Sequence, residues 1–151
     1  MSIAAGFPNF WKELAAPVED LSKRQMKSIL FVDDEPLPHQ VAQRFLDPYY
    51  EVDTAASGDE ALACLQRKEF ALLISDIRMP GMNGFELIDR ARELFPQLPC
   101  MVISTHLDDY EWDVARRSLS ALSKPYELKE FLEAVQDTID APVQPVPKSP
   151  S

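Results

Sequence analysis

The chain has 151 residues, 46% of them hydrophobic and 26% charged, which is typical of a single soluble globular domain. Its formal net charge of −10 disfavours direct binding to nucleic acids, because the phosphate backbone carries charge of the same sign. Cys64 and Cys100, its two cysteines, lie in apolar segments and indicate a reduced, cytoplasmic protein. No apolar run approaches the roughly 18 residues that a membrane-spanning helix needs.

Residues 1–27 form an extension that precedes the first strand candidate. Phe7, Phe10, Trp11 and Leu14 lie at helical spacing and make an apolar stripe. The stripe predicts a short amphipathic helix that docks on an apolar surface, since it would otherwise leave a large exposed patch. A frayed extension without a structural role is the alternative.

Strands and helices are predicted to alternate over residues 28–139. The strand candidates are, in chain order, Ile29–Val32, Tyr50–Thr54, Phe70–Ser75, Met101–Ser104 and the weaker Ala121–Ser123. Most of these runs are almost entirely apolar, as buried parallel strands should be. The alternation predicts an α/β fold, a doubly wound parallel sheet with helices on both faces.

Helical patterns lie between the strand candidates. In the first pattern Leu37, Val41 and Phe45 share one face, and the second opens with a predicted capping box of Ser57 and Glu60. "NGFELI" opens the third helix and "HLDDYEWDVA" the fourth. The fifth has the clearest apolar stripe, formed by Leu128, Phe131, Leu132, Val135 and Ile139. Residues 140–151 are rich in proline and indicate an extended linker or tether.

Polar side chains follow the strand candidates at the points where they end. Asp33 and Asp34 follow the first strand, Asp76 the third, Ser104 ends the fourth, and Lys124 follows the fifth. The carboxyl ends of parallel strands share one edge, where ligands of such sheets bind. Two carboxylates about 5 Å apart repel by about 3 kcal/mol at an effective dielectric constant of 20, so a cation is expected to offset that cost. Mg²⁺, an ammonium, a hydroxyl and a nucleophilic carboxylate are together the parts of a phosphoryl-transfer site.

These residues and "DIRMPGMNG", which begins at Asp76, give the chain a specific resemblance. Residues 28–139 resemble the receiver domain of bacterial two-component response regulators, including "KP" at Lys124-Pro125. The resemblance implies a flavodoxin-like fold with five parallel strands in the order 2-1-3-4-5 and five helices. It also implies a regulator that catalyses only its own phosphotransfer and autodephosphorylation, rather than a classical enzyme.

The resemblance further implies a role for each site residue. Asp76 would accept a phosphoryl group from the phosphohistidine of a sensor histidine kinase or a phosphotransfer protein. Asp34, Asp76 and the backbone carbonyl of Arg78 would bind Mg²⁺, with Asp33 acting mainly through water. Two further residues, Ser104 and Lys124, would hold the phosphoryl oxygens. Phosphorylation would then remodel the surface of the fourth helix, fifth strand and fifth helix.

Three departures from the family pattern bear on signal output. Ala121 stands where the family often has Tyr or Phe, so the aromatic that reports phosphorylation is missing. Thr105 follows Ser104 where the family often has Ala or Gly, and it predicts slow exchange of the phosphoryl group. The stretch "ARRSLSALSKP" lacks the Gly-Ala that often ends the fourth helix, which predicts an irregular end there.

Two functional hypotheses follow. The first is a phosphorylation-dependent switch that docks on a partner protein, forms a homodimer, or continues past Ser151 into an output domain. The alternative is an interaction module with the receiver fold that works without phosphorylation. A phosphatase that uses an aspartyl phosphate is disfavoured, because the second acid it needs would occupy the position of Arg78. His39 and His106 lack metal-ligand partners at suitable spacing and are predicted to be surface residues.

Overall fold

A computed structural model describes residues 26–141 of the chain. The predicted amphipathic helix over residues 7–14 and the proline-rich tail from residue 142 onward lie outside the described residues. No helix within residues 26–141 combines the length and the apolar character required to cross a membrane.

Five strands form one parallel sheet in the order β2-β1-β3-β4-β5. They are β1 Ser28–Val32, β2 Glu51–Ala55, β3 Leu72–Asp76, β4 Cys100–Ser104 and β5 Ser120–Ser123. The predicted fold class and strand order are confirmed. All five strands differ from their predicted bounds by one or two residues at one end or both. Tyr50 belongs to the preceding turn because its N–H donates to the carbonyl of Leu46, and β3 extends to include Asp76.

The helices and one 3₁₀ turn connect the strands. They are α1 Pro36–Leu46, α2 Gly58–Arg67, α3 Gly84–Leu94, the 3₁₀ turn Leu107–Tyr110, α4 Glu111–Arg116 and α5 Leu128–Asp140. The helices α1 and α5 pack on one face of the sheet, whereas α2, α3 and the partly buried Val114 of α4 pack on the other. The expected covering of both faces is therefore confirmed.

Successive side chains of β1 enter two different hydrophobic clusters. Ile29 and Phe31 pack against the α1–α5 side, while Leu30 and Val32 pack against the α2–α3 side. All four are at most 1% exposed. Because side chains alternate across a strand, a strand covered on both faces must be apolar at every position. The continuous apolar run of β1 therefore ends only where the sheet reaches solvent.

Two predicted apolar faces differ from the structure. In α1 the buried residues are Ala42 and Leu46, whereas Leu37 is 65% exposed. The inward face is thus displaced by one position, which is about 100° of helix rotation, from the predicted stripe. In α5 the core begins at Phe131, and Leu128 is 47% exposed because it is the first residue of the helix.

The segment after β4 also departs from a regular helix. Residues predicted to open the fourth helix form the 3₁₀ turn, and α4 proper has six residues. Just after its C-cap, Ser118 adopts a left-handed backbone with φ of 51°. Glycine is the residue that adopts this region without steric cost. The irregular end predicted from the missing Gly-Ala is confirmed.

Candidate functional site

Three carboxylates meet at the carboxyl edge of the sheet. Asp33 and Asp34 follow β1 and Asp76 ends β3, and each offers an oxygen that lies within 4.8 Å of the others. Asp33 is buried and Asp34 is exposed, with Asp76 between these extremes. The strand ends therefore bring together the acidic residues that the sequence placed on one rim.

Lys124 joins two of these carboxylates. Its Nζ donates to Asp33 Oδ2 at 3.1 Å and to Asp76 Oδ1 at 3.3 Å. The backbone N–H of Lys124 donates to the carbonyl of Ser104 at 3.0 Å, which fixes the residue at the end of β5 beside β4. Burial acts to lower the pKa of Lys124, but the charges and hydrogen bonds of Asp76 and Asp33 outweigh it and raise the pKa. The ammonium therefore stays charged at neutral pH.

Asp76 lies in an environment that disfavours its charge. Burial is the main cause that raises its pKa, the attraction of Lys124 opposes the rise, and the charges of Asp33 and Asp34 add to it. One ammonium cannot neutralise three carboxylates, so the site keeps a net negative charge. Carboxylate oxygens gathered in this way are the ligands that a hard divalent cation such as Mg²⁺ prefers. The donor set therefore fits the predicted metal.

Backbone contacts hold Asp33 in place. Its Oδ1 accepts from the N–H of Glu35 at 3.0 Å, and its carbonyl accepts from Nε2 of His39 at 2.7 Å. The His39 ring is half-buried and meets Phe31 edge-on, with ring centroids 6.1 Å apart. The prediction that His39 is merely a surface residue was wrong, because α1 turns its ring towards the end of β1. His106 is exposed, as predicted.

Ser104 lies on the same edge but faces a different partner. It is 2% exposed, and its Oγ accepts from the backbone N–H of His106 at 2.9 Å. Within residues 26–141 no hydrogen bond links this hydroxyl to the carboxylates.

Arg78 lies two residues beyond Asp76, and its side chain contacts the 3₁₀ turn. Its Nε donates to Tyr110 Oη at 2.7 Å, and its Nη2 lies 3.4 Å from Asp109 Oδ2. The Tyr110 hydrogen bond is the main cause that raises the pKa of Arg78, and the charges of Asp109 and Asp76 add to it. The sequence did not predict the contact of Arg78 with Tyr110.

The start of α3 packs closely against the end of β3. The N–H of Gly84 donates to the carbonyl of Ile77 at 2.9 Å, and a Cβ at Gly84 would lie 2.3 Å from the carbonyl oxygen of Asp76. Asn83 caps α3 through a capping box with Glu86. The loop after Asp76 is therefore fixed at both ends.

A sequence model of the response regulator receiver domain matches residues 29–136, which is most of the chain. The chain belongs to this receiver family. A receiver protein of Anaeromyxobacter sp. strain Fw109-5 is 36% identical over 72% of this chain and 47% of its own length. The hydrogenase transcriptional regulatory protein HoxA of Cupriavidus necator is 30% identical over 76% of this chain and 24% of that protein. The chain thus spans less than half the length of these two curated relatives.

Solved receiver structures superimpose on the described fold. The chemotaxis protein CheY4 of Vibrio cholerae has a TM-score of 0.70 at 31% identity, over 75% of this chain and 98% of that one. The response regulator TrrA of Thermotoga maritima, solved in complex with Mg²⁺–BeF, has a TM-score of 0.68 at 30% identity, over 75% of this chain and 99% of that one. The resemblance inferred from the sequence is therefore confirmed, and receiver membership implies phosphorylation-dependent signalling.

Proposed function

We propose that this receiver is a signalling switch in which Asp76 accepts a phosphoryl group from a sensor histidine kinase or a phosphotransfer protein. The observation that carries the proposal is the position of the Asp76 carboxylate, which is 13% exposed and lies between Lys124 and the acidic pair. A carboxylate that is partly accessible and paired to a fixed ammonium can attack an incoming phosphorus while its neighbours hold the transferred charge.

The proposed transfer is a single displacement at phosphorus. A bond forms between an Asp76 Oδ and the phosphorus as the P–N bond of the donor phosphohistidine breaks, and the electron pair remains on the imidazole nitrogen. Lys124 then attracts one phosphoryl oxygen with its ammonium, and the hydroxyl of Ser104 donates a hydrogen bond to another. Both groups act by holding charge that grows on the transferred group.

The acidic cluster is proposed to hold Mg²⁺ in the working state. Asp34, Asp76 and the carbonyl of Arg78 would bind the ion directly, and Asp33 would act mainly through water, since its own oxygens already accept from Lys124 and Glu35. Bound there, Mg²⁺ supplies positive charge that offsets repulsion between the carboxylates and the phosphoryl oxygens. The net negative charge of the site supports this assignment.

The output of the switch is proposed to pass through the surface of α4, β5 and α5. The partner is either a separate cytoplasmic protein, a second copy of the chain, or an output domain that follows Ser151. The longer relatives favour the last of these, because HoxA is named a transcriptional regulatory protein and its region similar to this chain is 24% of its length. Any contact with nucleic acid would then belong to that output domain.

Phosphotransfer to a single residue tests the proposal. Purified protein is mixed with a histidine kinase carrying labelled phosphate, or with acetyl phosphate and Mg²⁺, and the label is followed through acid and alkali. We expect an acyl phosphate that is lost in Asp76→Asn and kept in Asp108→Asn, which alters an exposed carboxylate of the 3₁₀ turn. Label that persists in Asp76→Asn contradicts the assignment. A wild type that takes no label from any donor favours the phosphorylation-independent interaction module.

A further inference from the structure

A cluster of side chains links the acceptor loop to the start of α4. The guanidinium of Arg78 donates to Tyr110 Oη at 2.7 Å, and its carbon lies 5.6 Å from the centre of the Tyr110 ring. The same ring packs against Phe85 at the start of α3, with centroids 5.7 Å apart. We call the contact between Arg78 and Tyr110 the arginine–tyrosine clasp.

The clasp joins the loop after Asp76 to the 3₁₀ turn after Ser104, two segments that each follow a residue of the proposed acceptor site. Arg78 is the second residue after Asp76, in the loop that follows β3. Tyr110 is the last residue of the 3₁₀ turn that begins three residues after Ser104, and it is also the N-cap residue of α4. Its side chain makes no capping hydrogen bond, so the clasp and the Phe85 contact are what hold it.

The usual aromatic reporter has no counterpart at Ala121. That residue is exposed on the edge strand β5 and has only a methyl group, which cannot move between two packed positions. If α4 responds to the acceptor site, the response must travel by another contact. Within residues 26–141, the side chain of Arg78 reaches from the acceptor loop to the segment just before α4 through the clasp and through its contact with Asp109.

The clasp is also exposed to competition from the acceptor site. Arg78 is 55% exposed at its side chain; its Nε donates to the hydroxyl of Tyr110, and its Nη2 makes one long contact of 3.4 Å with Oδ2 of the exposed Asp109. A phosphorylated side chain carries a charge of about −1.5 to −2 and presents three strong acceptor oxygens. A guanidinium prefers such a group to a phenol hydroxyl and one long contact with an exposed carboxylate, because it can donate two parallel charge-assisted hydrogen bonds to it.

We propose that Tyr110 is a positioning residue through which the acceptor site controls α4. In the unphosphorylated protein the clasp holds the start of α4 against the acceptor loop. A phosphoryl group on Asp76 draws the Arg78 guanidinium to its oxygens, the hydrogen bond to Tyr110 breaks, and the start of α4 is released together with the exposed Trp112. This inference rests on the proposed phosphorylation of Asp76 and adds the route by which that event reaches the surface.

Trp112 provides the reporter for a direct test. It lies two residues after Tyr110, is 71% exposed and faces the guanidinium carbon of Arg116 at 5.0 Å. The chain has two tryptophans, so Trp11→Phe leaves Trp112 alone. In this background the emission of Trp112 is recorded before and after addition of Mg²⁺ and beryllium fluoride, a phosphoryl mimic. Thermal unfolding under the same conditions measures whether the mimic binds.

Two variants open the clasp and one serves as a matched control. Tyr110→Phe removes the accepting hydroxyl but keeps the ring on Phe85, and Arg78→Lys keeps the charge but removes the donating Nε. Before the mimic is added, the emission of both variants should already differ from that of the wild type by at least half of the change that the mimic produces in the wild type. When the mimic is added, the further change in each variant should be less than a third of the wild-type change. Tyr49→Phe alters an exposed tyrosine in the turn after α1 and should behave as the wild type.

The outcomes separate this inference from the function on which it rests. If Tyr110→Phe keeps the wild-type emission and the full response while the mimic still stabilises the protein, the clasp is not the route. If the mimic stabilises neither wild type nor variants and Asp76 takes no label, the proposed function fails and the inference falls with it. Retained stabilisation with a lost Trp112 response in both clasp variants supports the inference.

Discussion

Replacing Gly84 with alanine should destabilise the domain, although alanine favours helices. A Cβ at this position would lie 2.3 Å from the carbonyl oxygen of Asp76 and 3.0 Å from the Cα of Ile77. The neighbours are backbone atoms, so the start of α3 must move by roughly 1 Å to reach ordinary contact distances. Overpacking of this kind costs about 1–3 kcal/mol, whereas the helix propensity of alanine would contribute at most about 1 kcal/mol in the opposite direction. We expect a net loss of about 2 kcal/mol.

Urea denaturation at fixed Mg²⁺ measures this loss, and thermal unfolding should show a fall in Tm of roughly 8 °C for a domain of this size. Gly81→Ala is the matched control. It has a φ of 75° and no neighbour within 4 Å, so only the left-handed backbone opposes the substitution, at a cost of about 1 kcal/mol. If Gly84→Ala is neutral or stabilising, or costs less than Gly81→Ala, the close approach of α3 to the acceptor strand is not a constraint.

Three further predictions concern the site and its supports. Mg²⁺ at ten times its dissociation constant should raise the free energy of unfolding of the wild type by about 1.4 kcal/mol, which thermal unfolding with and without Mg²⁺ measures. An equal rise in Asp34→Ala would contradict the proposed site. Thr105→Ala should lose its acyl phosphate a few-fold faster than the wild type, because the stiff branched side chain of threonine narrows the path by which water reaches the phosphoryl group. An equal or longer lifetime of the acyl phosphate in the variant would show that Thr105 does not limit this access. Arg117→Gln should lower the free energy of unfolding by about 2 kcal/mol, because the buried guanidinium donates to both oxygens of Asp89 at 2.9 and 3.0 Å. In the same urea titration the exposed Arg116→Gln should stay within about 0.5 kcal/mol of the wild type, and an equal loss in both would refute the ion pair as the cause.

The sheet could be predicted from the sequence because parallel strands that are covered on both faces leave an uninterrupted apolar signal. β1, β3 and β4 show this signal, and their order followed from the family resemblance. The helix faces were harder to predict. In α1 the stripe through Leu37 and the stripe through Ala42 differ by one position, and only packing on the sheet decides that the second faces inward.

The residues of the acceptor rim could also be placed from the sequence, because each one follows a strand and parallel strands end at one edge. Their partners could not. The hydrogen bond from His39 to the carbonyl of Asp33 depends on the rotation of α1, which the pattern did not fix. The contact of Arg78 with Tyr110 depends on a 3₁₀ turn in a stretch that the sequence predicted as regular helix. Arg78 and Tyr110 also lie 32 positions apart in the chain, a separation over which local patterns carry no information.

The short helix α4 gives the fold an uneven distribution of local stability. None of its six residues is buried, whereas α5 buries Phe131, Val135 and Thr138. A helix of this length is marginal on its own. In native-state hydrogen exchange, the amides of α4 should therefore exchange through local opening, whereas those of β1 and β3 should exchange only through global unfolding. Helix α4, which follows Ser104 in the chain, can therefore open and close many times while the sheet that carries Asp76 stays folded.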